Sequence, residues 1–295
     1  MSRIDAWLLA PAPARRLACL RILVSGYATV FIVARWSSFW SGTSLPARQL
    51  EGVGVLWWLD TRPDPALMRT LLVVTVVVGV LATAGAAYRL TGPTFAALFL
   101  VVSTYRMSFG HVIHTEHLVA LHLLVIGFTR AADSLAWRPQ SKRPDSEIYG
   151  WPVKVMSLIT VVAYTLAGWA KINHGGLDWA FGDVLRNQVA FDNLRKILLG
   201  SGHSSIGASI VEFGWLFPPF AVITIAVELL AFIALLGRKR LTMLWVAAAW
   251  SFHVGIALTM AISFPYQLSL IAYAPLLPVE RALPRLAHTF RRTDR

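Results

Sequence analysis

Long apolar runs alternate with shorter polar connections along most of the chain. An α-helix needs about 20 apolar residues to cross a bilayer, so these runs are predicted to be membrane-spanning helices. Eight are assigned: 17–36, 68–87, 94–105, 114–128, 153–170, 217–236, 241–260 and 264–277. The third, fourth and eighth are short for a span. The pattern predicts an all-α, polytopic membrane protein.

The composition agrees with that class. Hydrophobic residues make up 56% of the chain and charged residues 14%, and the mean hydropathy is +0.60. Cys19 is the one cysteine, which excludes an intrachain disulfide and a cysteine-based metal site. The polar, proline-containing start precedes an apolar run with no small-residue cleavage site after it, so no signal peptide is expected. We expect one membrane domain over residues 1–295, without a soluble lumenal domain.

The net charge of +12 is informative through its distribution. If the N-terminus is cytoplasmic, most of the 27 lysines and arginines fall on the inner side. By the positive-inside rule both termini are therefore predicted to be cytoplasmic, with an even number of spans. Topology and anionic lipid headgroups account for the charge, so no nucleic-acid partner is expected. The predicted location is a cell membrane, specifically a bacterial inner membrane.

The longest outer connection runs from Lys171 to Leu216 and includes a predicted turn at Gly175 and Gly176. Apolar and charged residues are interleaved over 179–199. This pattern predicts a helix lying along the outer surface, where it could cap a cavity.

Ionisable residues gather in the outer half of the predicted bundle, which indicates a site. A carboxylate at mid-span, as at Glu228, is costly unless it is protonated, paired or hydrated. Tyr164 lies two turns before Lys171 on the same helix face. The histidines lack the i, i+4 spacing of a strong metal motif, and no metal is predicted. The candidate residues are His111, His114, His117, His122, Tyr164, Lys171, Glu228 and His253.

Each candidate also has a simpler interpretation. Lys171 can extend to the outer headgroups as an anchor. His111 and His114 can be interfacial, while His122 and His253 can donate hydrogen bonds between packed helices. Glu228 can bond a neighbouring helix, and Tyr164 can simply pack against its surroundings. Arg21 and Arg89 are interpreted as topology determinants, and the tryptophans mainly as interfacial belts.

The segment 167–173 (AGWAKIN), followed by 178–182 (DWAFG), resembles a stretch of vitamin K-dependent gamma-carboxylase and its bacterial relatives, the HTTM (horizontally transferred transmembrane) family. Further matches occur in the same order along nearly the whole chain. They are Arg16–Leu23 in the opening helix, Tyr88-Arg89, Glu116-His117, Phe252-His253 and Pro275–Leu277. The chain departs from the family pattern at Glu116, where the family has asparagine.

The resemblance implies a function and a cofactor. Lys171 would be the base that deprotonates a naphthohydroquinone, vitamin K or menaquinol, and His117 would assist. Burial disfavours the charged form of a lysine, which would make Lys171 a competent base. His114, Tyr164, His253 and Glu228 are assigned to cofactor binding. The expected enzyme is a quinol-dependent carboxylase or oxygenase acting at the outer face on a secreted peptide or a lipid-soluble substrate.

Carboxylation of protein glutamates by this chain alone is not expected, because the chain ends soon after Leu277, where the carboxylase continues into a large lumenal portion. Two alternatives stay open. The protein could be a non-catalytic quinone-binding or structural subunit that contacts partner membrane subunits. It could instead be a transport or export helper in which Glu228 and the histidines form a proton path.

Overall fold

The computed structural model describes residues 2–110, 114–138 and 145–281, apart from the side chains of Arg3 and His114. Within these residues the fold is helical and contains no strand. The helices are α1 (Arg3–Leu8), α2 (Ala14–Ala34), α3 (Trp36–Gly42), α4 (Pro65–Ala84), α5 (Tyr88–Met107), α6 (His117–Gly127), α7 (Glu147–Phe181), α8 (Val184–Leu198), α9 (Ser205–Ile210), α10 (Phe217–Leu229), α11 (Lys239–Met260) and α12 (Pro265–Leu268). The predicted helical class is confirmed.

In the described part of the chain, five helical segments are long and apolar enough to cross a membrane. They are α2, α4, α7, α11 and the segment Gly214–Leu235, in which α10 is continued by a 3₁₀ turn. The predicted third span lies within α5, whose first turns contain Arg89 and Pro93. The predicted fourth span is shortened to α6, and the eighth breaks into α12 and a 3₁₀ turn.

The chain divides into two compact units, Met1–Met156 with Leu277–Arg295, and Ser157–Leu276. In the first unit α2 packs on α4, α4 on α5 and α5 on α6. Of the most apolar part of α2, 61% is buried, against 28% for α4, so α2 is the inner helix. A Cβ added at Gly92 would lie 2.7 Å from the Gly127 carbonyl oxygen, which shows that small residues let α5 and α6 approach closely.

In the second unit, α7 continues well past the predicted end of its span. Apolarity stops at Lys171, but the helix persists until Gly176, whose φ of +52° and ψ of −140° interrupt it. A positive φ is readily adopted only by glycine. The predicted turn is thus confirmed at Gly176.

Most of the helix predicted over 179–199 forms as α8, while residues 179–181 belong to α7. The polar face of α8 caps the end of α11: the Asn193 amide donates to the Thr259 carbonyl (2.9 Å), and the Lys196 ammonium donates to the Met260 carbonyl. These contacts satisfy carbonyl groups that a helix end leaves without partners. The apolar residues Phe191, Leu194 and Leu198 of the other face are exposed. The position of α8 along a membrane surface stays a prediction.

Candidate functional site

Lys171 on α7 and Glu228 on α10 form an ion pair in the second unit. The lysine Nζ donates to both carboxylate oxygens, at 2.5 Å to Oε1 and 2.6 Å to Oε2. The side chain of Glu228 is 4% exposed and that of Lys171 is 22% exposed. Of the three states expected for a mid-span carboxylate, pairing is the one observed.

Close packing of two helices brings the pair together. A Cβ added at Gly168 would lie 2.8 Å from the Glu228 Cβ, so the glycine one turn before Lys171 gives α10 room to approach α7. One residue before Glu228, the Val227 carbonyl accepts a hydrogen bond from the Trp245 indole at 2.8 Å, which fastens α10 to α11. The α10 backbone that carries Glu228 therefore packs against α7 and is hydrogen-bonded to α11.

Lys171 also lies against an aromatic ring. Its Nζ lies 5.2 Å from the centre of the Trp179 ring, and an aromatic face attracts a cation. Trp179 is itself buried, and it lies beyond the interruption at Gly176. Lys171 is thus held between a carboxylate and an aromatic ring, with about a fifth of its side chain exposed.

A second polar cluster in this unit joins Tyr164, Tyr273 and His253. The two tyrosine hydroxyls lie 2.6 Å apart, and Nδ1 of His253 lies 3.3 Å from the Tyr164 hydroxyl. The same Nδ1 lies 2.9 Å from the Ala249 carbonyl, which can only accept, so Nδ1 carries the proton. All three side chains are buried. They form a hydrogen-bonded cluster among α7, α11 and the segment after α12.

The two clusters occupy the same face of α7. Tyr164 and Lys171 are seven residues apart on uninterrupted helix, which corresponds to two turns and about 10 Å of rise. The Trp245 ring contacts Tyr164 edge-on, with 5.1 Å between ring centres, while its indole nitrogen bonds the backbone beside Glu228. Trp245 therefore links the hydroxyl cluster to the ion pair.

The histidines of the predicted site differ in their surroundings. His117 is exposed at the start of α6 in the first unit, whereas Lys171, Glu228, Tyr164 and His253 belong to the second. His111 and the side chain of His114 lie outside the described residues. His122 is buried and its Nε2 donates to the Met156 carbonyl at 3.1 Å, as expected of a helix-packing donor.

Glu116, next to His117, belongs to a second buried ion pair, this one in the first unit. Arg106 NH1 lies 2.5 Å from its Oε1. The departure from the family pattern at Glu116 therefore coincides with a contact that ties α5 to the start of α6.

Three residues of the candidate site were not predicted as such: Trp179, Trp245 and Tyr273. Both tryptophans were assigned to interfacial belts, and both are buried against polar partners instead. Trp179 lies within the segment that carries the family resemblance, which was an available signal. Tyr273 had no comparable signal, because a single hydroxyl in an apolar run has no spacing that identifies its partner.

The arrangement can hold and exchange a proton. An amine and a carboxylate in contact can share one proton, and tyrosine hydroxyls both donate and accept. Within the described residues, no group of three or more histidine, cysteine, aspartate or glutamate side chains is placed to hold a metal ion.

Fold and site together define an all-helical protein in which several helices could span a membrane and two of those helices share an ion pair. Comparisons of the chain with protein-family models, with curated proteins and with solved structures give no match.

Proposed function

We propose that the protein is a multi-pass membrane enzyme that removes a proton from a lipid-soluble hydroquinone, with Lys171 as the proton acceptor. In this proposal the chain crosses the membrane eight times, both termini are cytoplasmic, and the site lies in the outer half of the bilayer. The contact between Lys171 and Glu228 carries the proposal, since it places an amine and a buried carboxylate together in apolar surroundings.

The pair gives Lys171 a route to the neutral amine that a base requires. When the proton of the ammonium passes to Glu228, two opposite charges disappear together, and no isolated charge is left in a medium of low dielectric constant. Nζ can then accept a proton from a hydroxyl placed beside it. The proton already on Glu228 stays there, so the site holds one proton more after the step than before.

The side chains around the amine suit a naphthohydroquinone. Trp179 offers an aromatic face beside Nζ, and about a fifth of the Lys171 side chain is exposed. A hydroquinone bound there would supply an acidic hydroxyl and, after proton loss, a ring that reacts with oxygen. The resemblance to the gamma-carboxylase implies that this chemistry is coupled to carboxylation of a secreted peptide. His117 and His114 keep their assigned roles as predictions.

A second candidate function is a non-catalytic one, in which the pair fastens α7 to α10 within a structural or quinone-binding subunit. Its support is that Lys171 bonds both oxygens of Glu228, which is an effective way to tie two helices together. This candidate predicts that the protein depends on the opposite charges of Lys171 and Glu228 and does not depend on the ability of Lys171 to accept a proton.

Oxygen uptake with menaquinol, measured on purified protein in lipid nanodiscs, separates the two. Wild type should consume oxygen, and Lys171→Met should lose about 10²–10⁴-fold of that rate, the usual contribution of a general base. The matched control is Lys154→Met. Lys154 lies on the same helix with its Nζ 5.1 Å from the centre of the Trp7 ring, but no ion pair with a carboxylate is recorded for it among the described residues.

The double variant Lys171→Met with Glu228→Gln removes both charges and so restores electrical balance at the contact. If the pair only fastens helices, this variant should recover most of the loss caused by Lys171→Met alone. We expect it to remain inactive while folding normally. Absence of menaquinol-dependent oxygen uptake by wild type would contradict the enzymatic proposal.

A further inference from the structure

Two arginines, Arg89 and Arg130, line a small cavity in the first unit, away from the residues assigned above. The cavity has a volume of about 110 Å³. It lies between the start of α5 and the connection that follows α6. Its lining residues are Tyr88, Arg89, Thr129, Arg130, Ala132 and Asp133.

Hydrogen bonds fix the walls of this cavity. The Tyr88 hydroxyl and the Thr129 hydroxyl both donate to the Ile126 carbonyl, at 3.0 and 2.6 Å. The Tyr149 hydroxyl donates to Oδ2 of Asp133 at 2.7 Å. The end of α6, the start of α5 and the start of α7 are thereby held around one space.

The arginine side chains that line the cavity have N–H groups available to donate to a ligand. Arg89 is exposed, and no hydrogen bond or ion pair is recorded for its side chain within the described residues. Arg130 donates through Nε to Asp133 at 2.9 Å, and its side chain is 37% exposed. Asp133 is therefore already shared between an arginine and a tyrosine. The terminal nitrogens of Arg130 carry further N–H groups.

A third guanidinium lies behind the same connection. Arg21 of α2 is fully buried, and it donates to the Ala131 carbonyl at 3.2 Å and to the Leu135 carbonyl at 2.5 Å. Its Nε is buried without a hydrogen-bond partner, and no carboxylate pairs with it in the described part of the chain. Arg21 was assigned to topology from the sequence, whereas here it holds the loop that forms the cavity wall.

We infer that this cavity binds a phosphate group, either as an anionic lipid headgroup or as a free phosphate ester. Two arginines and one carboxylate line the cavity, and the buried Arg21 guanidinium lies behind the same connection, so the region carries excess positive charge that an anion would neutralise. Arginine binds phosphate oxygens through paired N–H groups, and basic pockets at the ends of membrane helices accept lipid headgroups. The volume is that of a few water molecules, which suits a phosphate group and excludes an acyl chain.

Ligand-dependent thermal stabilisation of the purified full chain tests the inference, because a ligand that binds only the folded state raises the unfolding midpoint. The probes are dihexanoyl phosphatidylglycerol, the matched dihexanoyl glycerol without phosphate, and inorganic phosphate. Arg89→Gln removes a cation that has no recorded partner, so folding should be unaffected. Arg238→Gln, an exposed arginine of the second unit, is the matched control.

We expect the phosphate-containing lipid, and not dihexanoyl glycerol, to raise the midpoint. Arg89→Gln should need about tenfold more of it for the same rise, as loss of a hydrogen bond to a charged group implies, and Arg238→Gln should behave as wild type. A response to the lipid alone identifies a headgroup, and an Arg89-dependent response to inorganic phosphate identifies a free phosphate. Equal responses of the two variants, or no response to either phosphate compound, would overturn the inference.

Discussion

Two buried ion pairs, one in each compact unit, have nearly the same closest distance and similar burial. Lys171 and Glu228 approach to 2.5 Å, and so do Arg106 and Glu116. The carboxylates are 4% and 2% exposed, and the cations 22% and 15%. The cations differ in chemistry. Arg106 also donates to the Ser38 hydroxyl at 3.3 Å and lies over the Phe39 ring at 5.1 Å, so its guanidinium is held on several sides.

That difference separates a structural pair from a pair that can take part in proton transfer. A guanidinium keeps its proton under all conditions in proteins, whereas an amine can release one when its surroundings disfavour charge. Arg106 and Glu116 can therefore only attract each other. Lys171 and Glu228 can also exchange the proton between them, and for this reason the enzymatic proposal rests on them.

The largest expected effect comes from removing the carboxylate of the arginine pair. Glu116→Gln should lower the free energy of unfolding by about 3–5 kcal/mol, because Arg106 would remain charged and buried without its partner. Chemical denaturation in detergent measures this. Glu51→Gln, at an exposed position of the same unit, serves as the control and should change little. A loss below about 1 kcal/mol for Glu116→Gln would mean that the pair is not structural.

Removing the carboxylate of the lysine pair should lower the free energy of unfolding by less than removing that of the arginine pair. Glu228→Gln is expected to lower the free energy of unfolding by about 1.5–3 kcal/mol, the range for a lost hydrogen bond to a charged group. The smaller value follows because the Lys171 amine can lose its proton, which the Arg106 guanidinium cannot do. The same denaturation assay applies. A cost equal to that of Glu116→Gln would remove the distinction between the two pairs.

The contact between α7 and α10 can be changed without touching either charge. Gly168→Ala adds a Cβ that would lie 2.8 Å from the Glu228 Cβ, so α10 must move away. We expect a loss of about 1–3 kcal/mol from overpacking, together with reduced oxygen uptake. Gly255→Ala on α11 is the matched control, because a Cβ there meets nothing within 4 Å. It should be neutral, or stabilising by up to about 1 kcal/mol.

A third ion pair, between Arg16 and Glu280, should have the smallest effect and should depend on pH. Burial raises the pKa of the Glu280 carboxyl, but hydrogen bonds and the charge of Arg16 more than offset this, so the pKa lies below its ordinary value of 4.5. The pair therefore stabilises the fold above that pH, and the contribution disappears as the pH falls through the lowered pKa.

Glu280→Gln should accordingly reduce stability by about 1 kcal/mol or less at neutral pH. It should also flatten the acid side of the stability profile, as measured by unfolding midpoints between neutral and acidic pH. Glu147→Gln, at an exposed position, should leave the profile unchanged. An identical acid profile for Glu280→Gln and wild type would show that the pair contributes nothing.

The sequence predicted the helical class well, because long apolar runs form few structures other than helices. The limits of individual helices were harder. Hydropathy ends at Lys171, but α7 continues until a backbone conformation favoured by glycine interrupts it at Gly176. Conversely, the apolar run after Phe264 looked like one span and breaks into α12 and a 3₁₀ turn. Helices follow backbone hydrogen bonding, which the apolar pattern tracks only in part.

The members of the candidate site could be predicted better than their partners. A carboxylate in an apolar run had to be compensated, which identified Glu228, and the end of a span identified Lys171. Their pairing joins positions 57 residues apart and depends on space left by Gly168. Tyr273 and the buried arrangement of Trp245 follow from tertiary packing, which periodicity in one chain does not encode.

Replacing the lysine by arginine tests the central claim most directly. Lys171→Arg keeps a cation opposite Glu228 but removes the ability to accept a proton from substrate. We predict that the unfolding midpoint stays near that of wild type while menaquinol-dependent oxygen uptake falls at least about hundredfold. The reciprocal variant Arg106→Lys should keep the uptake. Turnover at the wild-type rate by Lys171→Arg would contradict the claim that Lys171 acts as the base.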